Sequence, residues 1–97
     1  MQVESLEPSR QAQVVAATLE CIRRSEQVYD RKFTPPLITF DLSGRAAGMY
    51  RVQGERRQIR YNPYIFARYF ADNLANTVPH EVAHFVVNAL YGRRKVQ

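Results

Sequence analysis

Residues 74–92 read LANTVPHEVAHFVVNALYG, and the period of this stretch decides what the rest of the chain must pack against. Take His80 as zero and about 100° per residue. Tyr91, His84, Thr77, Asn88 and Glu81 then fall between about 20 and 100°, and Val78, Val82, Phe85, Val86 and Ala89 between about 140 and 240°. The stretch is therefore a helix with one apolar stripe to bury and one polar stripe able to line a cleft. It is expected to start between Leu74 and Val78 and to end at Leu90 or Tyr91. Gly92 suits the C-terminal cap, and Arg93, Arg94 and Lys95 suit the negative helix end.

Working outward, YNPYIFARYFADN (61–73) is also helical in period. Asn62 is a good N-cap and Pro63 a good first position, with Ile65, Phe66, Tyr69 and Phe70 as an aromatic packing stripe. Before it, the period changes to two. Ala47–Val52 and Gln58–Tyr61 flank Gln53-Gly54-Glu55-Arg56, which predicts a hairpin turning at Gly54. Tyr50, Val52, Ile59 and Tyr61 alternate with Met49, Arg51, Gln58 and Arg60, so one sheet face is buried and the other is basic and wet. Leu37–Leu42 is a further strand, rich in branched and aromatic residues. Residues 8–31 form a long helix opened by Pro8, with Val15, Leu19, Ile22 and Tyr29 along its inner face, stopped by Thr34-Pro35-Pro36. The order α-β-β-β-α-α predicts an α+β domain with helices on a small, three-stranded, largely antiparallel sheet.

At 97 residues, 45% hydrophobic and 24% charged, the chain is sized and composed for one globular domain. No run approaches about eighteen apolar residues, and MQVESLEPSRQ lacks a basic region followed by an apolar one, so neither a membrane span nor a secretory signal is expected. The one cysteine, Cys21, cannot form an internal disulfide and reads as a packed thiol, which favours a reducing, cytoplasmic compartment.

The candidate chemistry is HEVAH, residues 80–84. Histidines four apart on a helix share a face, so His80 and His84 can point at one zinc ion. Glu81 is rotated about 100° from His80, out of easy ligation but within reach of a water at the metal, where it could act as general base. A pair of surface histidines without metal would show the same spacing. A catalytic zinc takes three protein ligands and a structural one takes four, and the chain contains two histidines. A second, different signal is charge. Residues 45–97 hold nine Lys/Arg against three Asp/Glu, hence +6, whereas residues 1–44 come to −1. Arg45, Arg51, Arg56, Arg57 and Arg60 on the hairpin, interleaved with Tyr50 and Tyr61, and Arg93, Arg94 and Lys95 at the tail make a candidate nucleic-acid surface.

Taken together, PPLITFDLSGRAAGMYRV, IRYNP and LANTVPHEVAH followed by YG resemble the SprT family of zinc metallopeptidase-like proteins across nearly the whole chain. The resemblance implies a zincin-like fold, zinc as cofactor held by His80 and His84, Glu81 as catalytic base and a protein substrate. It also implies a third ligand, in a His-Gly pair a dozen or more residues past the motif, which this chain does not contain. The 97 residues are thus expected to be the N-terminal part of a single SprT-like domain, an inactive fragment with apolar surface left uncovered on its last two helices and a tendency to self-associate. DNA enters as a partner by analogy with eukaryotic relatives that act on DNA-crosslinked proteins. The alternative is a nucleic-acid-binding module whose metal motif is vestigial.

Overall fold

The computed structural model describes residues 4–92. Helix α1 (Pro8–Tyr29) opens with proline in its first turn, where no N–H is needed. It ends at Asp30, whose left-handed φ of 52° brings its N–H onto the Glu26 carbonyl. Its inward stripe is Val14, Thr18 and Ile22; Ile22 faces inward as expected, but Val14 and Thr18 take the places expected of Val15 and Leu19, and Leu19 and Tyr29 stand 42% and 50% exposed. A threonine can face the core because its hydroxyl is fully used. Thr18 Oγ1 donates to the Val14 carbonyl at 2.7 Å and accepts from the Tyr61 hydroxyl at 2.8 Å. Cys21 is half-buried on the same helix, and burial pushes its thiol pKa up.

The sheet contains β1 (Leu37–Thr39), β2 (Gly48–Gln53) and β3 (Arg56–Tyr61) in the order β1-β3-β2. β2 and β3 form the expected hairpin, paired from Gly48↔Tyr61 to Gln53↔Arg56, with Gly54 at φ 61° in the turn. β1 joins the other side of β3 in parallel, Leu37↔Gln58 to Thr39↔Arg60, so the sheet is mixed. β1 is shorter than expected. Beyond Thr39 the chain leaves the ladder, with Asp41 turning out to Arg60 and Leu42 turning in, its N–H on the Tyr61 carbonyl. The predicted alternation holds. Ile59 and Tyr61 are buried and Met49 and Arg51 exposed.

Asn62 leads from the sheet into the helices. Its Oδ1 accepts from the Tyr64 and Ile65 N–H groups, capping α2 (Pro63–Arg68). Its Nδ2 donates to the Gly44 and Ala46 carbonyls, both at 3.1 Å, and its own N–H goes to Ala47. The aromatic stretch is not one helix. Tyr69, at φ −133° and ψ 58°, breaks it after six residues, and α3 (Phe70–Tyr91) starts immediately afterwards. α3 therefore begins earlier than expected and runs through Pro79. That proline leaves the Ala75 carbonyl without its helical donor. Side-chain bonds brace the turns before it, from Thr77 to Asn73 at 2.7 Å and from Asn76 to the Asp72 carbonyl at 2.9 Å. Val78, Val82, Phe85 and Val86 then hold both sides of the proline against Val14, Ile22, Ile59, Tyr61 and Phe66 in a single core. Gly92 caps the helix through the Asn88 carbonyl, as expected.

Asn62 is 1% exposed, so truncating it strands buried partners. Asn62→Ala is expected to cost about 2–4 kcal/mol, a lost cap plus carbonyls left without donors. Asn62→Asp keeps the cap acceptor but cannot donate to Gly44 and Ala46, and should still lose about 1–3 kcal/mol. Urea denaturation of both variants checks this; a loss below about 1 kcal/mol for Asn62→Ala would remove Asn62 from this role.

Candidate metal centre on the third helix

α3 presents His80 and His84 to solvent one turn apart. Their Nε2 atoms are 3.2 Å from each other, with the rings at 84° and centroids 4.7 Å apart. Two imidazoles bound tetrahedrally at about 2.0–2.1 Å need their nitrogens about 3.3–3.4 Å apart. The observed separation is close to that spacing. Among the described residues no group of three or more His, Cys, Asp or Glu side chains could hold an ion, so the two histidines stand without a third ligand there.

Glu81 is next to them in sequence but lies in a different environment. It is 5% exposed, pressed beneath β2 at Gly48, where a Cβ would stand 2.9 Å from Glu81 Cγ. Its carboxylate makes no side-chain hydrogen bond to another described residue. Burial raises its pKa above the ordinary glutamate value, opposed by charge on His80 and then His84. Two hollows flank the histidines. One, about 350 Å³, is lined by Ala47, Gly48, Asn76, Thr77, His80 and Glu81. The other, about 480 Å³, is lined by Tyr50, His80, Ala83, His84, Val87, Asn88 and Gly92. His80 borders both.

Asn88 continues the polar stripe one turn past His84. Its Oδ1 accepts from the Tyr50 hydroxyl at 2.8 Å and from Arg57 Nε at 2.7 Å, tying both hairpin strands to α3. Sequence reasoning put Asn88 on the right face without finding this clamp. It also passed over Gly48, although a glycine inside a strand pattern is the usual sign of a close backbone approach.

The cations divide. Arg45, Arg51 and Arg56 are exposed. Arg57 faces inward to Asn88. Arg60 is paired with Asp41 at 3.0 Å, and that pairing together with the Thr39 hydroxyl, the larger cause, holds the Asp41 carboxyl below its usual value. Tyr61 is fully buried and Tyr50 is engaged by Asn88, so neither ring is free to stack on a base. Arg93, Arg94 and Lys95 lie outside the described residues. Apolar surface is exposed at Tyr64 on α2, at Tyr69 between the helices, and at Val87 and Tyr91 on α3. No described helix is long and apolar enough to cross a membrane.

A family model described as the SprT-like family matches residues 18–97. Protein SprT of Vibrio parahaemolyticus is 40% identical over 75 residues, covering 77% of this chain and 44% of that protein. Protein SprT of Pseudomonas aeruginosa strain LESB58 is 34% identical over 74 residues, 76% and 44%. Protein SprT of Shewanella oneidensis is 32% identical over 85 residues, 88% and 53%. The chain thus spans about half the length of these curated relatives. No solved structure matches it.

The Glu81 environment makes a pH prediction for the metal-free protein. Its carboxyl holds a proton more tightly folded than unfolded. That group's contribution is therefore intact below the unfolded pKa and is lost as pH rises through the raised, folded value. Glu81→Gln keeps the shape and removes the loss. It should melt a few degrees above wild type at pH 7, with the difference closing below about pH 4. Thermal melts at both pH values check this, and a difference independent of pH would count against it.

Proposed function

The chain belongs to the SprT-like family, and from that premise we propose that it carries the zinc-binding and general-base elements of a peptide-bond hydrolase. The observation that carries this reading is the 3.2 Å separation of two solvent-facing imidazole nitrogens beside a buried glutamate. His80 and His84 would hold the ion through Nε2. Zinc, when bound, supplies a Lewis acid that polarises a carbonyl and brings the pKa of water toward neutrality. Glu81 does the proton work: a carboxylate oxygen at the edge of the 350 Å³ hollow accepts a proton from the attacking water and delivers it to the departing amine. Its partial desolvation suits it, because a carboxylate with a raised proton affinity is the stronger base. The third ligand that catalysis requires has to come from outside the described residues.

Zinc titration of the 97-residue protein, with casein and DNA-bound protein as substrates, tests this. Uptake should be weak and should fall about tenfold or more in His80→Ala and His84→Ala. Glu81→Gln should leave uptake near wild type. Glu81-dependent cleavage should appear only in a form that supplies a third ligand. Tight stoichiometric binding and cleavage by the 97 residues alone would overturn the ligand argument. Zinc uptake indifferent to both histidines would overturn the site.

One observation favours a second, compatible activity. Arg51 and Arg56, with Gln53, Glu55 and Gln58, line a hollow of about 390 Å³ at the hairpin, and among the described residues neither arginine is ion-paired as Arg60 is with Asp41. We propose that this surface binds nucleic-acid phosphates. Mobility shifts on duplex DNA should weaken steeply between low and moderate salt. They should weaken again in Arg51→Gln/Arg56→Gln, weaken less in Arg60→Gln, and persist in His80→Ala. Binding insensitive to salt, or lost equally in Arg60→Gln, would count against it. Persistence of DNA binding with no zinc uptake in any form would favour the vestigial-motif alternative.

A further inference from the structure

β2 crosses α3 at Gly48, and this contact is closer than any side chain allows. A Cβ built on Gly48 lies 2.9 Å from Glu81 Cγ, 2.9 Å from Thr77 Cγ2 and 3.0 Å from Glu81 Oε2. Backbone freedom is not what requires glycine. Gly44, Gly54 and Gly92 have positive φ, and Gly48 does not, so alanine fits the strand's conformation and only the space is denied.

We propose that Gly48 is a positioning residue for Glu81, its bare backbone forming the wall that sets where the carboxylate stands beside His80; the catalytic part of this rests on the peptidase reading above. Of the two side chains that a methyl group would strike, Thr77 is pinned, because its hydroxyl donates to Asn73 Oδ1 at 2.7 Å. Nor can the β2 backbone easily yield. The preceding residue is anchored through the Asn62 N–H on the Ala47 carbonyl at 2.8 Å, and Gly48 itself is paired in register with Tyr61. Glu81 is the element with somewhere to go, since it borders the open 350 Å³ hollow. A methyl at position 48 therefore displaces the carboxylate toward that hollow and away from its place beside His80. Misplacing a reacting group by about 1 Å can cost on the order of 100-fold in rate without weakening binding in proportion.

The test has two arms. In the first, thermal melts of the metal-free 97-residue protein form a double-mutant cycle of Gly48→Ala and Glu81→Ala, in a Thr77→Ser background that removes the Cγ2 also struck by the methyl and keeps the hydroxyl bond to Asn73. Gly48→Ala should lower the melting temperature by about 5 °C or more with Glu81 present, and by less than half as much once Glu81 is alanine. If Gly48→Ala fails to fold alone, the double variant should fold. An equal cost in both backgrounds, or failure of both to fold, means that the backbone takes up the clash and the proposal is wrong. In the second arm, a zinc-loaded, cleaving form carrying Gly48→Ala should lose about tenfold to 100-fold in kcat, with KM and zinc affinity within about twofold of wild type. Unchanged kcat would overturn the positioning role. Absence of cleavage by the unmodified protein in any form would sink the peptidase reading instead, and the steric inference would then stand or fall on the melting cycle.

Discussion

One buried amide holds the sheet and the helices in register. Asn62 directly follows β3, and both ends of its side chain are used. The carbonyl end starts α2, whose Phe66 enters the core, and the amide end grips the loop that leads into β2. The α3 helix follows α2 after a single non-helical residue, so the cap sets where α3 begins relative to the sheet. The grip on residues 44–47 sets where β2 begins. The approach of β2 to α3 at Gly48 is the joint consequence of these two constraints. A glutamine or serine at position 62 could satisfy one of them but has the wrong reach or too few hydrogen-bonding groups for both.

That approach creates the electrostatic character of the site. A carboxylate on an amphipathic helix would ordinarily sit in water, and Glu81 is on the polar side of its wheel. It is buried because β2 arrives without a side chain and closes over it. The neighbouring histidines, one turn apart on the same stripe, stay exposed because the strand covers only the edge at about 100°. One helix face thus holds a desolvated carboxylate beside two exposed imidazoles. The Asn88 clamp keeps the strand from lifting: with Tyr50 from β2 and Arg57 from β3 on a single oxygen, the hairpin cannot slide along α3 without breaking two bonds together.

Most of the frame was legible in the sequence because it depends on local rules. Asn62-Pro63 reads as a helix start from capping alone, Gly54 as a turn, and the histidine pair as one face from the period of a helix. What escaped depends on partners distant in the chain. Thr18 faces inward only because Tyr61, 43 residues away, offers a hydroxyl. Hydrophobicity by itself had selected the neighbouring Val15–Leu19 stripe. β1 is parallel because it adds to the free edge of β3, which no property of residues 37–39 encodes. The last helix was expected to start between Leu74 and Val78, yet it starts at Phe70, and core contacts on both sides carry it through Pro79. Arg57 was read as one more surface cation, although its alternation with Ile59 and Tyr61 puts it on the inner face. The shared face of His80 and His84 and the place of Glu81 beside them were legible; the close approach at Gly48 and the Asn88 clamp were not.

The division among the arginines follows from the same geometry. A cation on the inner face must find an acceptor or bear the cost of desolvation, and Asn88 provides one for Arg57. On the outer face the need is weaker, yet Arg60 is still tied down, because the departing β1 chain presents both the carboxylate and the carbonyl of Asp41 to it. Arg60 is thereby part of how the short parallel strand is terminated, and its charge is locally cancelled. Within the strands, Arg51 and Arg56 toward the hairpin tip escape both demands, and Arg45 stands exposed in the loop before β2. The same two strands meet α3 through Tyr50 and Arg57, whose hydrogen bonds converge on the side-chain oxygen of Asn88, so the inner-face cation serves to fix the hairpin on the helix rather than to present charge.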